Sequence, residues 1–534
     1  MIRRIASALL FIVIILSTQQ VVSQNSPSNL AIYKIVRFIQ YVTNDYVDTL
    51  DIDNIVDDAI KETLKNLDPH SVFISKEDVK AMNEPLEGNF EGIGVEFNIL
   101  NDTLMVVNPV PGGPSEKVGI VAGDRIIKVD NKIVAGIGIT NNDVFKILRG
   151  DKGTKVVVEI VRKNWSEPLE FSITRDKIPI HSLDASYMVT KRIGYIKLNR
   201  FALRTEDEFL EALEKLKEQK MKDLILDLRG NGGGYLNASV ALADHFLDDD
   251  QLIVYTEGRN VPKTEYKSTM NGEFTRGRLI ILIDEGSASA SEIVSGAVQD
   301  WDRGIIIGRR SFGKGLVQNQ LPLPDGSLIR LTIARYHTPT GRVIQKPYSS
   351  GKRTNYYSEL NERYENGEYF TADSISIPDS LKYYTLQKNK IVYGGGGIIP
   401  DIFVPFDTTF YSDYYGKLIR MGIINQYVHS YIDKNRETMT QRHSTFEKFN
   451  QNFKITPSII EELVTFAENM KLPSDLEGLK TSEMEIQKQL KALIAQNLFS
   501  TNQYFQIVNQ NNMALQKAIE VLNSWDSYKH LVKE

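Results

Sequence analysis

Leu279-Ile280-Ile281-Leu282-Ile283, then Asp284-Glu285-Gly286-Ser287-Ala288-Ser289-Ala290-Ser291-Glu292, then the apolar stretch Ile293 to Val298, carry the clearest pattern in the chain. A five-residue apolar run bounded by a small-residue turn reads as a strand, and the apolar stretch after the turn reads as a helix. The same alternation recurs on either side. Ile193 to Leu198, Leu224 to Leu228 and Ile305 to Ile307 read as strands, whereas Glu206 to Lys217, Ala238 to Phe246 and Ser291 to Asp300 read as helices. Strands and helices in alternation predict an α/β core, placed here at 166–405.

The chain has 534 residues, which at roughly 100 to 200 per domain predicts two to four domains. Hydrophobic content of 42% and charged content of 25% are ordinary globular values and exclude wholesale disorder or a multi-span membrane protein. A net charge of −5 gives no electrostatic reason to bind nucleic acid. The chain contains no cysteine, which removes disulfides, thiolate metal sites and cysteine nucleophiles. What remains is oxygen, amine or imidazole chemistry.

Outward from the core, residues 29–83 carry apolar positions at helix spacing (Ile32, Ile35, Val36, Ile39; Ile55, Ala59, Ile60, Leu64) and predict an N-terminal helical region. Short β-type runs at Val95–Ile99, Leu104–Val107, Arg125–Val129 and Val156–Val161 predict a compact β-rich module over 84–165. The weakly patterned segment 349–389 reads as an insertion or long loop, and 406–534, rich in Gln, Asn, Lys and Leu, as a helical C-terminal extension. Residues 1–24 join Arg3-Arg4 to the apolar run Ile5 to Leu16 and the small-residue stretch Val21-Val22-Ser23, as in a secretory signal peptide. A bilayer-spanning helix needs roughly 20 apolar residues. The expectation is therefore export and cleavage, with residence in a periplasm; a retained membrane anchor is the lesser alternative.

Gly92-Ile93-Gly94-Val95, Pro109 to Pro114, and Gly123-Asp124-Arg125-Ile126-Ile127 make the β module resemble a PDZ domain of bacterial proteases. A Gly-x-Gly turn before an apolar strand frees backbone N–H groups for a terminal carboxylate, and the strand edge offers main-chain pairing to an extended peptide. Gly92, Ile93, Gly94 and Val95 are the candidate peptide-binding residues; taken alone, two such glycines equally make a tight turn.

The turn after Leu279–Ile283 exposes hydroxyls at a helix N-terminus, where free N–H groups favour developing negative charge. Ser289, between Ala288 and Ala290, is the candidate nucleophile, although serines at this place also simply cap helices. The 7 histidines are scattered and suggest no triad. Ser311-Phe312-Gly313-Lys314-Gly315 instead sets one lysine between two glycines. For general-base work its amine would need burial that lowers the pKa from about 10.4 to roughly 7 or 8; most loop lysines are merely solvated charges.

These motifs, with Gln318, Leu331 to Tyr336, Thr338-Pro339-Thr340-Gly341-Arg342, Asp68-Pro69-His70-Ser71, Asp227-Leu228-Arg229-Gly230-Asn231-Gly232-Gly233-Gly234 and Gly397-Ile398-Ile399-Pro400-Asp401, resemble the carboxy-terminal processing (tail-specific) proteases across residues 30–405. The resemblance implies a crotonase-like α/β protease core with an inserted PDZ domain. It implies a serine endopeptidase with Ser289 as nucleophile, Lys314 as base and Gln318 orienting Lys314. Backbone amides of Gly233 and Ala290 would form the oxyanion hole. It implies no metal or cofactor, and unfolded or tagged polypeptide C-termini as substrates. A homodimer and an adaptor bound to the helical extension are further partner expectations. Gly232 departs from the family, where Pro is frequent at that place. The rival readings are an inert peptide-binding scaffold and a crotonase-like thioester hydrolase.

Overall fold

The computed structural model of the protein describes residues 27–349, 351 and 353–533; the expected signal segment 1–24 lies outside the described residues. The chain divides into two compact units, Met1–Leu67 and Asp68–Glu534. In the first, helices Pro27–Asp45 and Ile52–Lys65 follow the apolar periodicity, and the Asp51 side chain caps the second by accepting the Asn54 amide. That bond satisfies an N–H with no partner inside the helix. Among the described residues, no helix is long and apolar enough to cross a membrane.

The core of the second unit is a six-stranded sheet in the order Leu183–Met188, Ile193–Leu198, Asp223–Asp227, Leu279–Ile283, Ile305–Gly308 and Ile402–Phe403. Only the first pair runs antiparallel. Leu279–Ile283 and Ile305–Gly308 are buried at every residue, as parallel strands covered on both faces must be. One face meets helices Thr205–Glu218, Leu236–Asp244 and Ala290–Asp300, through residues such as Phe209, Leu242 and Val294. All but Leu183–Met188 and Ile402–Phe403, which the sequence reading does not include, lie within two residues of their sequence-predicted limits.

Four places differ from the sequence reading. Residues 29–83 are not helical throughout: Val72–Ile74 is a strand that pairs antiparallel with Leu328–Arg330 at the start of the long strand Leu328–His337. Three residues are too few to show a period, and the pairing is long-range. The β module runs past 165, because Leu169–Thr174 pairs with Lys155–Val161 and closes its sheet. A ribbon of Asn89–Gly92 with Asp176–Pro179 joins that module to the core.

Within 349–389, Arg353–Glu365 is a helix. Its inward residues Tyr356 and Arg363 are polar, so no apolar stripe announces it. The C-terminal extension is divided in two. Helices between Asp413 and Val508 enclose their own core around Leu418, Leu463 and Leu490. Helix Met513–Asn523 instead lays Leu515, Val521 and Leu522 on Ile225, Ile280, Leu282 and Ile305, the second face of the parallel sheet.

Candidate active site

Ser289 occupies the position immediately before helix Ala290–Asp300 with φ 55°. A non-glycine residue held there costs on the order of 1–3 kcal/mol and persists only where its surroundings over-determine it. Those surroundings are specific. The Ser289 amide donates to Glu292 Oε2 at 2.7 Å. Gly233 packs directly behind, with φ +97°, and a Cβ there would come within 2.8 Å of Ser289 Cβ and 3.0 Å of the Ala290 nitrogen. Only glycine fits. As the first helical residue, Ala290 has an N–H with no partner in its own helix.

Glu292 is fully buried, and it is the residue the sequence reading passed over. Besides Ser289, its carboxylate accepts Ser311 Oγ at 2.5 Å, the Gly313 amide at 2.7 Å and the Lys314 amide at 2.9 Å. One side chain thus joins the serine turn to the lysine loop. Burial pushes its pKa up and the four hydrogen bonds pull it down, burial prevailing. The signal was present in the Ser-x-x-Glu spacing of Ser289 and Glu292, a capping-box pattern at a helix start. Two further ties hold the same elements together: the Phe312 amide donates to Ser287 O at 2.9 Å, and the Tyr336 hydroxyl lies between the carbonyls of Ser289 and Lys314.

Burial lowers the pKa of Lys314, and the nearby Arg330 guanidinium adds to the effect, while Glu292 and Asp68 oppose it. Its amine donates to Gln318 Oε1 at 3.2 Å; among the described residues it makes no hydrogen bond to Ser289 Oγ. Gln318 is fixed in turn, its Nε2 donating to His70 O at 2.6 Å. The Asp68–Ser71 turn that presents this carbonyl is organised by Asp68, which accepts the His70 and Ser71 amides at 2.8 and 2.9 Å and the Thr332 hydroxyl at 3.0 Å. The Asp68-Pro69-His70-Ser71 motif therefore acts on the lysine through Gln318.

Other motifs are also accounted for. Ser311 Oγ accepts the Ile398 amide at 2.6 Å, and Arg342 ties the turn after the long strand to Asp300 at the end of the serine helix, at 2.7 Å.

Ser289, Ala290, Gly233, Lys314 and Gln318 line one cleft of about 1040 Å³. The Gly233 amide is already engaged, donating to Asn231 Oδ1 at 2.9 Å; of the two expected oxyanion donors, only Ala290 is free in this conformation. Short-range Asx bonding to the second residue on competes with a ligand here. Among the described residues, no cluster of His, Cys, Asp or Glu is arranged to hold a metal ion.

In the β module, Val95–Ile99 is an edge strand, paired on one side only with Leu104–Pro109. Phe97 on this strand meets Phe145 of helix Asn141–Leu148 at a centroid distance of 5.6 Å. Gly94, at φ +72°, packs against Ile178 and Pro114 where a Cβ would lie 2.8 Å from Ile178 Cδ1. The Ile93 carbonyl accepts Ser115 Oγ at 2.7 Å, and Gly92 bridges to Arg149. The four candidate residues thus form a pinned turn leading into an unpaired strand edge.

The model of peptidase family S41 matches residues 192–351, that of the PDZ domain residues 105–162, and that of a family of unknown function (DUF8443) residues 414–500. The chain is similar to carboxy-terminal processing protease CtpB of Bacillus subtilis, with 35% identity over 67% of this chain and 73% of that protein. A carboxy-terminal-processing protease of Bartonella bacilliformis is 36% identical over 64% of this chain and 79% of its own length. Among solved structures, a photosystem II D1 C-terminal processing protease is 31% identical, covering 57% of this chain and 82% of that one at a TM-score of 0.35.

Proposed function

The chain belongs to the carboxy-terminal processing protease family of serine peptidases, and from that premise we propose that it cleaves polypeptides by a Ser289–Lys314 mechanism after capturing their C-termini on its PDZ domain. One observation carries the reading: Ser289 and a partly buried Lys314, its pKa lowered by desolvation, line the same cleft while their backbone amides share the Glu292 carboxylate.

The Lys314 amine leaves Gln318 and takes the proton of Ser289 Oγ, which attacks the scissile carbonyl carbon. Ala290 N–H stabilises the oxyanion, joined by Gly233 N–H once substrate draws it from Asn231. Collapse breaks the C–N bond, the lysine ammonium protonates the leaving amine, and an acyl-enzyme remains. Water then gives its proton to Lys314 and hydrolyses the ester, restoring Ser289. The peptide's C-terminal carboxylate binds at the Gly92–Gly94 turn, and its last residues add a strand to Val95–Ile99. We read the α/β core as crotonase-like, and the protein as exported to a periplasm through segment 1–24.

The test uses an unstructured polypeptide with an apolar free C-terminus and the same polypeptide amidated. The free form should be cut, with an acyl-enzyme on Ser289 seen by mass spectrometry. Amidation should weaken capture. Ser289→Ala should bind without cutting, and Lys314→Arg, whose guanidinium cannot act as base, should be inactive. Near wild-type cleavage by Lys314→Arg would remove lysine from the mechanism.

A further inference from the structure

Helix Arg353–Glu365, inside the segment 349–389, packs against the loop that carries Lys314 and engages its carbonyls, whereas Glu292 takes its amides. Arg363 is 2% exposed. It donates to two consecutive loop carbonyls, from Nη1 to Ser311 O at 2.8 Å and from Nη2 to Phe312 O at 3.2 Å. Its Nε donates to Glu359 Oε1 at 2.6 Å, one helical turn earlier. Glu359 Oε2 also takes Lys346 Nζ at 2.7 Å, and Lys346 lies over the rings of Phe312 and Tyr356 at 4.2 and 4.3 Å.

A second chain of contacts reaches the far end of the loop. Gln345 accepts the Gly315 amide at 2.8 Å and donates to the Tyr356 hydroxyl at 3.1 Å. Burying charges is unfavourable unless they are paired and hydrogen-bonded, and a solvated surface insertion would need none of these. The loop does need them, because Gly313 and Gly315 flank Lys314 and leave its backbone few steric limits. A guanidinium holding two successive carbonyls fixes both peptide planes at once.

Resting on the assignment of Lys314 as base, we propose that helix Arg353–Glu365 is a brace for the base loop and that Arg363 is a positioning residue of the peptidase reaction. It acts by holding the Ser311 and Phe312 carbonyls so that the Lys314 side chain enters the cleft. The charged groups facing Lys314 are Glu292, Asp68 and Arg330; those facing Arg363 are Glu359, Lys346, Arg310 and Glu368. Freeing the loop admits water to the amine and relieves the burial that holds its pKa down. The acid limb of the pH–rate profile then moves to higher pH.

The experiment compares the full chain with Arg363→Met and Arg363→Lys, with Lys314→Arg as control. Thermal melts check folding, and titration with an apolar free-C-terminus peptide checks the PDZ domain. For Arg363→Met, kcat should fall about 100-fold, with KM within about twofold, peptide affinity unchanged and the acid limb of kcat/KM displaced upward. Arg363→Lys keeps the charge beside Glu359 and one carbonyl contact, so it should recover part of both effects.

A folded Arg363→Met with wild-type kcat, or one with reduced kcat and an unmoved limb, overturns the brace. Should Arg363→Met not fold, Arg363→Lys with wild-type kcat and an unmoved limb overturns it equally. Activity in Lys314→Arg would instead sink the underlying assignment, so the two failures are distinguishable.

Discussion

Gln318 and His70, 248 residues apart in the chain, are joined by a hydrogen bond of 2.6 Å from the glutamine amide nitrogen to the histidine carbonyl. This bond fixes which end of the Gln318 side chain faces Lys314: the oxygen, an acceptor for the amine at 3.2 Å. Gln318→Leu keeps the size and removes the acceptor. A hydrogen bond to a charged group is worth about 1.5–3 kcal/mol, so kcat should fall roughly 10- to 100-fold with little change in KM. Steady-state kinetics on one polypeptide substrate would check it; an unchanged kcat would make Gln318 a bystander.

Glu292→Gln replaces an acceptor of four donors with a group that turns an NH₂ toward some of them. Leaving buried donors without partners costs about 1–3 kcal/mol. The variant should melt earlier, and cleavage should drop on the order of 100-fold as the serine turn and lysine loop lose their common tie. Circular-dichroism melts paired with turnover measure both, and a loss of stability with full turnover would show that the clamp does not serve catalysis.

Lys314→Met should make the protein more stable. The unfolded chain keeps the lysine proton up to the ordinary 10.5, whereas burial makes the folded chain release it at lower pH. Folding therefore bears the whole cost of a buried ammonium below the folded pKa, and the cost fades as pH rises toward 10.5. The gain, on the order of 1 kcal/mol, should be largest below the folded pKa, shrink as pH rises through it and vanish above 10.5. Tm against pH for both proteins provides the readout.

Asp227, fully buried at the end of a central strand, accepts Arg229 Nη2 at 2.6 Å and the Tyr195 hydroxyl at 2.7 Å. Although burial alone would raise its pKa, Arg229 and Lys197 hold the carboxyl far below its ordinary 3.8. Its stabilising contribution is present above 3.8 and lost as pH falls through the folded value. Asp227→Asn should cost about 3–5 kcal/mol at neutral pH and flatten the acid side of the stability curve. A variant with the wild-type acid slope would assign that slope to other groups.

Removing residues 513–534 should not yield a soluble core. Leu515, Val521 and Leu522 cover the second face of the parallel sheet and together contribute about 6 kcal/mol of apolar burial, a large part of a domain's net stability. Soluble yield and binding of an apolar dye would report the exposed face. A monodisperse, active truncation would show that the helix is dispensable.

The parts of this protein legible in the sequence are those encoded by neighbours. Leu279–Ile283 and Ala290–Asp300 declare themselves through apolar runs, and Ser289, Lys314 and Gln318 through motif spacing. Glu292 was half-visible, its spacing from Ser289 implying a cap but not its reach to the lysine loop. Val72–Ile74 and the role of Asp68–Ser71 were hidden because their partners, Leu328–Arg330 and Gln318, lie some 250 residues away. Arg353–Glu365 was hidden for another reason: it buries ion pairs, which leave no periodic hydrophobic trace.

Local order was thus decided by the sequence alone, because backbone preference and apolar periodicity act over a few residues. The tertiary structure decided which groups meet: that one carboxylate ties serine to lysine, that the Gly233 amide is occupied by Asn231, and that the last helix belongs to the core sheet. Such meetings depend on long-range packing and on excluding water from the lysine amine, and no stretch of adjacent residues can specify either.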